Sequence, residues 1–425
     1  MISYDGALQI IAGMAHHKWR QGLDRMEAFV GRAGLTPALS EPRYLHVAGT
    51  NGKGSVTATL HHVLAAHGVP CGAYFSPYVF DFRERIQADL ALIPRDDLAR
   101  LVERLLPVAA SFVGTEFGEI SEFEFKTALA LAFWAERGCQ WVALEVGLGG
   151  RIDATNVVRP AACGIVSIGY DHTAILGETL TLIAAEKAGI AKPEVPLVLG
   201  DLPEEAAASA LRVAHEVGAP VWRFGQEVML EAEAAGWTVT TPVATHSGLV
   251  PGLKGTVQPH NMAVSVGMLD AAGFAVDEKA LRVGIAATRL PGRFQKVTVE
   301  GREVILDGAH NRESAKVLAA SLRREAPAER TVLVLGMVKG HDAARFVEPL
   351  RGLFDAVALA PIDFYRAYDV AELAEVAGLS GAFLARTDCE ALAWALDQAG
   401  SRGRVVVTGS FYLVGSLGRA LGLGG

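Results

Sequence analysis

The chain has 425 residues, 51% of them hydrophobic, with a mean hydropathy of +0.27, which supplies a large core and predicts two or three domains rather than a disordered scaffold. Its 47 acidic and 39 basic residues give a net charge of −8. With no Lys/Arg run, a nucleic-acid surface is excluded as an expectation, and small molecules are the expected partners.

At the N-terminus, "MISYDGALQIIAGMAHHKWR" has no basic start followed by an apolar run, and no later segment reaches the roughly 18 to 20 uninterrupted apolar residues of a membrane span. A soluble, cytoplasmic protein that does not engage a membrane is expected. The first α/β series follows: "RYLHVAG", the helical "SVTATLHHVLAAHG", "CGAYFS", "WVALEVG", "ACGIVSIG", a helix through "LTLIAAEKAGI", and "PLVLG". Strands apolar on both faces alternate with helices, the pattern of a buried parallel sheet. Residues 1–289 are read as the first domain, with antiparallel hairpins at about 220–255 and a helix at "HNMAVSVGMLDAAGF". Pro291 and Gly292 in "TRLPGRFQ" mark a boundary. Residues 290–425 form a second series, "EVILDGAHN", "RTVLVLGM", "FDAVALAP", "GAFLA" and "GRVVVTGS", expected to build a smaller doubly wound sheet. The cysteines at 71, 139, 163 and 389 have neither C-x-x-C nor metal-ligand spacing, so reduced and mostly buried thiols are expected.

"AGTNGKGS" lies between the first strand, which should end at Ala48, and a helix expected to begin near Ser55. It misses the usual phosphate-loop spacing, with Val47 where a glycine belongs and Gly54 where Ser or Thr belongs. Its chemistry is nonetheless that of a phosphate cradle. Gly49, Gly52 and Gly54 free the backbone to turn its N–H groups inward, the helix adds its positive end, and Lys53 adds a point charge. Glu145 ends the strand "WVALEVG", where a carboxylate suits Mg2+, a hard cation; a salt bridge to Arg151 is the plainer alternative. Asp171 and His172 repeat that placement after the next strand. Lys187 stands in an otherwise apolar helix, where a solvated lysine is the plain alternative. Together these residues point to an ATP-dependent, Mg2+-using enzyme.

"GTNGKGS", "YFSP", "EVGLGGRIDATN", "IGYDHTAILG", "EKAGI", "HNMA", "PGRFQ", "DGAHN" and "VTGSFYLVG" stand in this order from about residue 20 to 415. In these motifs the chain resembles the folylpolyglutamate synthase/dihydrofolate synthase family of the Mur ligase superfamily. The resemblance implies a P-loop-containing Mur-ligase-like ATPase domain followed by a Rossmann-like glutamate-ligase domain. It also implies the activity: ATP phosphorylates a substrate carboxylate, and L-glutamate displaces the phosphate to form an amide. Gly49, Thr50, Asn51, Gly52, Lys53, Gly54 and Ser55 match the family's ATP loop, and Asn261, Arg293 and Asp307 match its further ATP contacts. Ser76, Glu145 and His172 match Mg2+ ligands; Lys187 matches a carbamylated lysine, and His310 is placed to support the intermediate. Gly22, Leu23, Asp24 and Arg25, Ser121, Glu122, Phe123 and Glu124, and Ile152, Asp153 and Ala154 match dihydropteroate contacts of the bifunctional members. Phe123 is either a stacking face for the pterin or an ordinary core phenylalanine.

The implied substrates are dihydropteroate and reduced folates, with folylpolyglutamate synthase activity alone as the alternative, and a monomer is expected. Tyr78 after Ser-Pro, "QADLAL", and "GMVKGHDAA" ending at Asp342 depart from the family pattern. The first two border the folate-side loop. Two other readings were open from the sequence. A cell-wall Mur ligase would need a preceding precursor domain, for which the loop at residue 49 leaves no room. A nucleotide-gated switch would have no use for Lys187, Glu145 and His172 together.

Overall fold

The computed structural model describes residues 2–14 and 22–423. Eight strands form the first sheet: β1 (Arg43–Ala48), β2 (Cys71–Tyr74), β3 (Ile86–Ala88), β4 (Ala91–Leu92), β5 (Trp141–Glu145), β6 (Pro160–Ile165), β7 (Leu197–Leu199) and β8 (Val221–Arg223). Their order is β4-β3-β2-β5-β1-β6-β7-β8, parallel except for β3 and β4 at one edge. Every residue of β5 and all but the first of β1 are buried, because helices cover both faces and leave no position for a polar side chain facing water. One covering layer centres on Phe29, Phe125 and Trp134, the other on Leu60, Val63 and Met268.

A separate three-stranded antiparallel sheet, β9 (Met229–Glu233), β10 (Gly236–Thr240) and β11 (Thr245–Leu249), lies in the region read as hairpins. Val221–Arg223, included in that reading, instead joins the parallel sheet beside β7. The last sheet contains β12 (Gln295–Val299), β13 (Arg302–Leu306), β14 (Thr331–Leu335), β15 (Ala356–Leu359), β16 (Phe383–Leu384) and β17 (Arg404–Thr408), ordered β12-β13-β17-β14-β15-β16. Five of these strands coincide with the five expected runs. The sixth, β12, pairs antiparallel with β13 at the edge and alternates half-buried and exposed residues, so it lacks the continuous apolar run of its neighbours.

In the first sheet β5, β1 and β6 are adjacent, with Val47 opposite Glu145 and Ala48 opposite Ile165. Their carboxyl ends therefore deliver Gly49, Glu145 and the Ser167–His172 segment to one edge. In the last sheet β13, β17 and β14 likewise deliver Asp307, Ser410 and the Met337–His341 segment. These two edges face each other. Among the described residues no helix is long and apolar enough to cross a membrane, and the four cysteines are free, three of them buried.

Candidate active site

The cleft between the two edges encloses about 580 Å3. Its floor is the glycine loop, pinned to the exit of β6: Thr50 N donates to Ser167 O at 2.7 Å, Asn51 N to Ser167 Oγ at 3.0 Å, and Thr50 Oγ1 to Gly169 O at 3.1 Å. Gly52 has φ +85°, and a Cβ there would lie 2.7 Å from Val166 and 2.8 Å from Asn261, so conformation and space both demand glycine. The helix begins at Lys53, two residues earlier than expected, with Gly52 as its N-cap. Gly54 is thus helical and plays no part in the turn. Its smallness serves packing, since a Cβ would meet Leu290 at 3.3 Å and Glu145 Oε2 at 3.4 Å.

Two lysines converge on one carbonyl. Lys53 Nζ donates to Gly49 O at 3.0 Å and Thr50 O at 3.2 Å, and Lys187 Nζ donates to Gly49 O at 2.9 Å. Lys187 is 4% exposed, which rules out the solvated alternative. Burial, reinforced by the charge of Lys53, pushes its pKa down to about 7. Glu145, 3% exposed, accepts from the Ser76 backbone N–H at 3.1 Å. Burial raises its pKa, against the pull of Lys53, the Ser76 amide and Arg293. It makes no pair with Arg151, which binds Glu186 at 2.7 Å. Ser55 is buried along the same cleft.

His172, in a left-handed conformation at φ +48°, lines the cleft beside Asp171. Its ring lies 6.0 Å from that of His341. Ser76, Glu145 and His172 share the cleft, but among the described residues no three His, Cys, Asp or Glu side chains converge as a preformed metal cage.

From the opposite edge, Arg293 stacks its guanidinium 4.2 Å over the Phe411 ring. Asp307 accepts from Phe294 N at 2.8 Å and Ala309 N at 2.9 Å. His310 bonds through Nδ1 to Gly308 O at 2.8 Å, which leaves Nε2 directed 3.7 Å from Asp171 Oδ2. Asn311 Nδ2 bonds to Asp171 Oδ2 at 2.9 Å and to Asn51 Oδ1 at 3.2 Å, tying the two edges together. Burial pushes the Asp171 carboxyl up, but His310, His172 and His341 outweigh it and hold the group well below the usual carboxylate range. Asn311 and His341 were not singled out from the sequence. Asn311 sits inside the "DGAHN" motif, while His341 lies in the segment that departs from the family spelling.

The residues matched to dihydropteroate contacts lie beside this cleft without lining it. Arg25 Nε bonds to Glu124 Oε1 at 2.8 Å, and Glu124 also takes the Ser121 amide at 2.8 Å and hydroxyl at 2.7 Å, a buried polar knot that starts the helix Glu122–Arg137. Gly22 and Leu23 lead into the helix Asp24–Arg32. Glu122 pairs with Lys126 at 2.7 Å. Phe123 packs under Gly147, where a Cβ would come within 2.3 Å of its ring. Asp153 accepts from Leu148 N at 2.9 Å and Thr155 N at 3.0 Å, fixing the turn that carries Ile152 and Ala154. Gly147 and Leu148 are the cleft-lining residues between these side chains and the glycine loop.

Residues 292–411 match the model of the Mur ligase glutamate ligase domain. The chain is 32% identical over 429 aligned positions to a dihydrofolate synthase/folylpolyglutamate synthase of Bacillus subtilis, covering 99% of both chains. It superposes with a TM-score of 0.90 on E. coli FolC in complex with DHPP and ADP, at 31% identity over 99% of this chain and 98% of that one. A Yersinia pestis bifunctional folylpolyglutamate synthase/dihydrofolate synthase complexed with AMPPNP and Mn ion is also similar, with TM-score 0.87, 29% identity, and coverage of 100% and 99%. Sequence and fold agree along the whole length: the chain belongs to the dihydrofolate synthase/folylpolyglutamate synthase family.

Proposed function

We propose that the chain is an ATP-dependent amide ligase that adds L-glutamate to dihydropteroate and to reduced folates through an acyl phosphate. The observation that carries this is the meeting of Lys53, Glu145 and Lys187 from one sheet edge with Arg293, Asp307 and His310 from the other in a single cleft. Phosphoryl transfer needs positioning and concentrated positive charge more than covalent help. Lys53, the amides of Gly52 to Ser55 and the positive end of the helix Lys53–Ala66 supply that charge from below, and Arg293 supplies it from above. A substrate carboxylate oxygen attacks the γ-phosphorus and ADP leaves. The glutamate amine then attacks the acyl carbon, phosphate leaves, and the amine proton is lost. Enclosure between the sheets keeps water from the acyl phosphate.

The donors suit Mg2+: one buried carboxylate, Glu145, the Ser76 hydroxyl and His172, too few for a protein cage, fit an ion that takes its other ligands from nucleotide oxygens and water. When bound, it would neutralise charge on the transferring phosphate. Lys187 is proposed to act as a carbamate, whose new carboxylate would face the same donors. Support comes from its lowered pKa, since only the neutral amine reacts with CO2. Residues 1–289 and 290–425 are proposed as the two domains, and the protein as a monomer of a reducing cytoplasm.

The test is incubation of purified protein with ATP, Mg2+ and L-glutamate plus either dihydropteroate or tetrahydrofolate, followed by mass analysis. One added glutamyl residue is expected on each acid. Product from tetrahydrofolate alone would leave folylpolyglutamate synthase as the function, and ATP turnover that is indifferent to both acids would reject the ligase.

A further inference from the structure

Arg85 ends the short turn Phe82–Arg85 immediately before β3, and its side chain reaches back to the exit of β2. Nη1 donates to Phe75 O at 3.3 Å, and Cζ lies 5.9 Å and 5.7 Å from the ring centroids of Tyr74 and Tyr78. The residue is 5% exposed. Among the described residues it nevertheless makes no ion pair, and its enclosed Nε has no hydrogen-bond partner. The Tyr74 hydroxyl, equally enclosed, has no partner in good hydrogen-bond geometry, its polar neighbours being Thr127 and Arg85 itself. The nearby Lys126 and Glu122 satisfy each other at 2.7 Å, so they do not offset the guanidinium. A charge taken out of water is ordinarily paired, and an unpaired one needs a reason.

Position supplies the reason. On one side the Phe75 carbonyl that Arg85 holds is followed by Ser76, whose amide donates to Glu145 at 3.1 Å, and Glu145 with Lys53 marks the phosphate end of the cleft. On the other side Tyr74 meets the Phe123 ring at 6.1 Å and is an electrostatic neighbour of Asp153, the residues read as facing the organic acid. The group that must span this interval is the carboxylate that attacks phosphorus.

We propose that Arg85 receives the acceptor carboxylate, with Nε and a free Nη as a fork and the Tyr74 hydroxyl as a third donor, holding one oxygen toward the γ-phosphate. This rests on the ligase reading above. A guanidinium suits the task because its fixed, planar donors match a carboxylate in both spacing and charge, which a lysine in the same place cannot do. The benzoate carboxylate of dihydropteroate and the glutamyl carboxylate of a folate present the same group to it, so one residue serves both acids.

The test compares wild type with Arg85→Met, Arg85→Lys and Tyr74→Phe. Binding of dihydropteroate and of its carboxamide is measured in the presence of ADP, alongside KM values for dihydropteroate, tetrahydrofolate, ATP and glutamate. Loss of a charge-assisted pair predicts a ~100-fold rise in KM for either acid in Arg85→Met, with KM for ATP and glutamate within about threefold of wild type. The preference of wild type for acid over carboxamide should vanish in Arg85→Met and shrink in Arg85→Lys. An acid preference retained by Arg85→Met, with an unchanged KM for the acids, overturns the proposal. ADP binding and the melting temperature report folding. Should Arg85→Met not fold, an acid preference undiminished in both Arg85→Lys and Tyr74→Phe overturns it instead. Failure of wild type to form any amide rejects the ligase, a result distinct from product formation with an Arg85-independent acid preference.

Discussion

At the scale of single residues, the site works by placing cations where no carboxylate side chain neutralises them fully. Lys53 is held by carbonyl oxygens alone, so its full charge remains for an incoming phosphate. Lys53→Ala is expected to lower turnover by about a thousandfold while the melting temperature stays near that of wild type. Turnover within tenfold of wild type would remove Lys53 from the mechanism. Lys187 poses a different question. With a pKa near 7, much of it is neutral amine in a mildly alkaline bicarbonate buffer, and intact mass should then show one added CO2 that Lys187→Ala lacks. The placement of Gly52, Lys53 and Glu145 was legible because a glycine turn, a lysine and a carboxylate at neighbouring strand ends form a pattern, whereas Gly54 proved to be helical. The double hold on the Gly49 carbonyl was not legible, since it joins residues 138 apart. Nor was Arg85, whose significance is a missing partner that only packing exposes.

At the scale of elements, the central strands announce themselves by continuous apolar runs, and the edge strands, β16 apart, do not. β3, β4 and β8 are two or three residues long, and β12 alternates; such segments owe their pairing to the neighbours that hold them in place. The small sheet β9 to β11 is fastened by a buried histidine. His246 Nε2 lies 3.1 Å from Asp270 of the helix Gln258–Ala271, and Nδ1 bonds to Glu278 of the helix Glu278–Ala287, which Arg282 also pairs at 2.9 Å. Burial alone would push the His246 pKa down, but the two carboxylates raise it above 6.5. A raised folded-state pKa contributes stability that is fully present below pH 6.5 and is lost as pH climbs through the folded value. The melting temperature should therefore fall as pH rises from about 6 through that value, and His246→Gln should flatten the slope. Parallel pH profiles for the two proteins would rule the latch out. Because Asn261 rides on the same helix as Asp270, the latch also steadies one wall of the cleft.

At the scale of the whole molecule, each sheet contributes only part of the chemistry, and the connection between them has an apolar part, where Val79 and Phe80 are buried with Val414 and Leu417, and a polar part at the cleft. Asn311 is the centre of the polar part, bridging Asp171 and Asn51. Asn311→Ala removes about 1 kcal/mol of such bonding. It is expected to raise the rate of proteolysis at the Thr288–Arg293 segment about fivefold in nucleotide-free protein. An unchanged cutting rate would show that apolar packing around Phe411 and Val79 holds the halves without it. The two-sheet plan could be read from the alternation of strands and helices, whereas the way the two edges close on each other depends on contacts such as this one, between residues far apart in the chain.

The backbone oxygen of Gly49 has the widest reach. The side-chain nitrogens of Lys53 and Lys187 both donate to it, so the loop is braced at a single oxygen from two sides. A triphosphate would meet a loop already shaped and would compete with the Gly49 and Thr50 carbonyls for Lys53. A competition of that kind favours visitors carrying several negative oxygens over those with one or two.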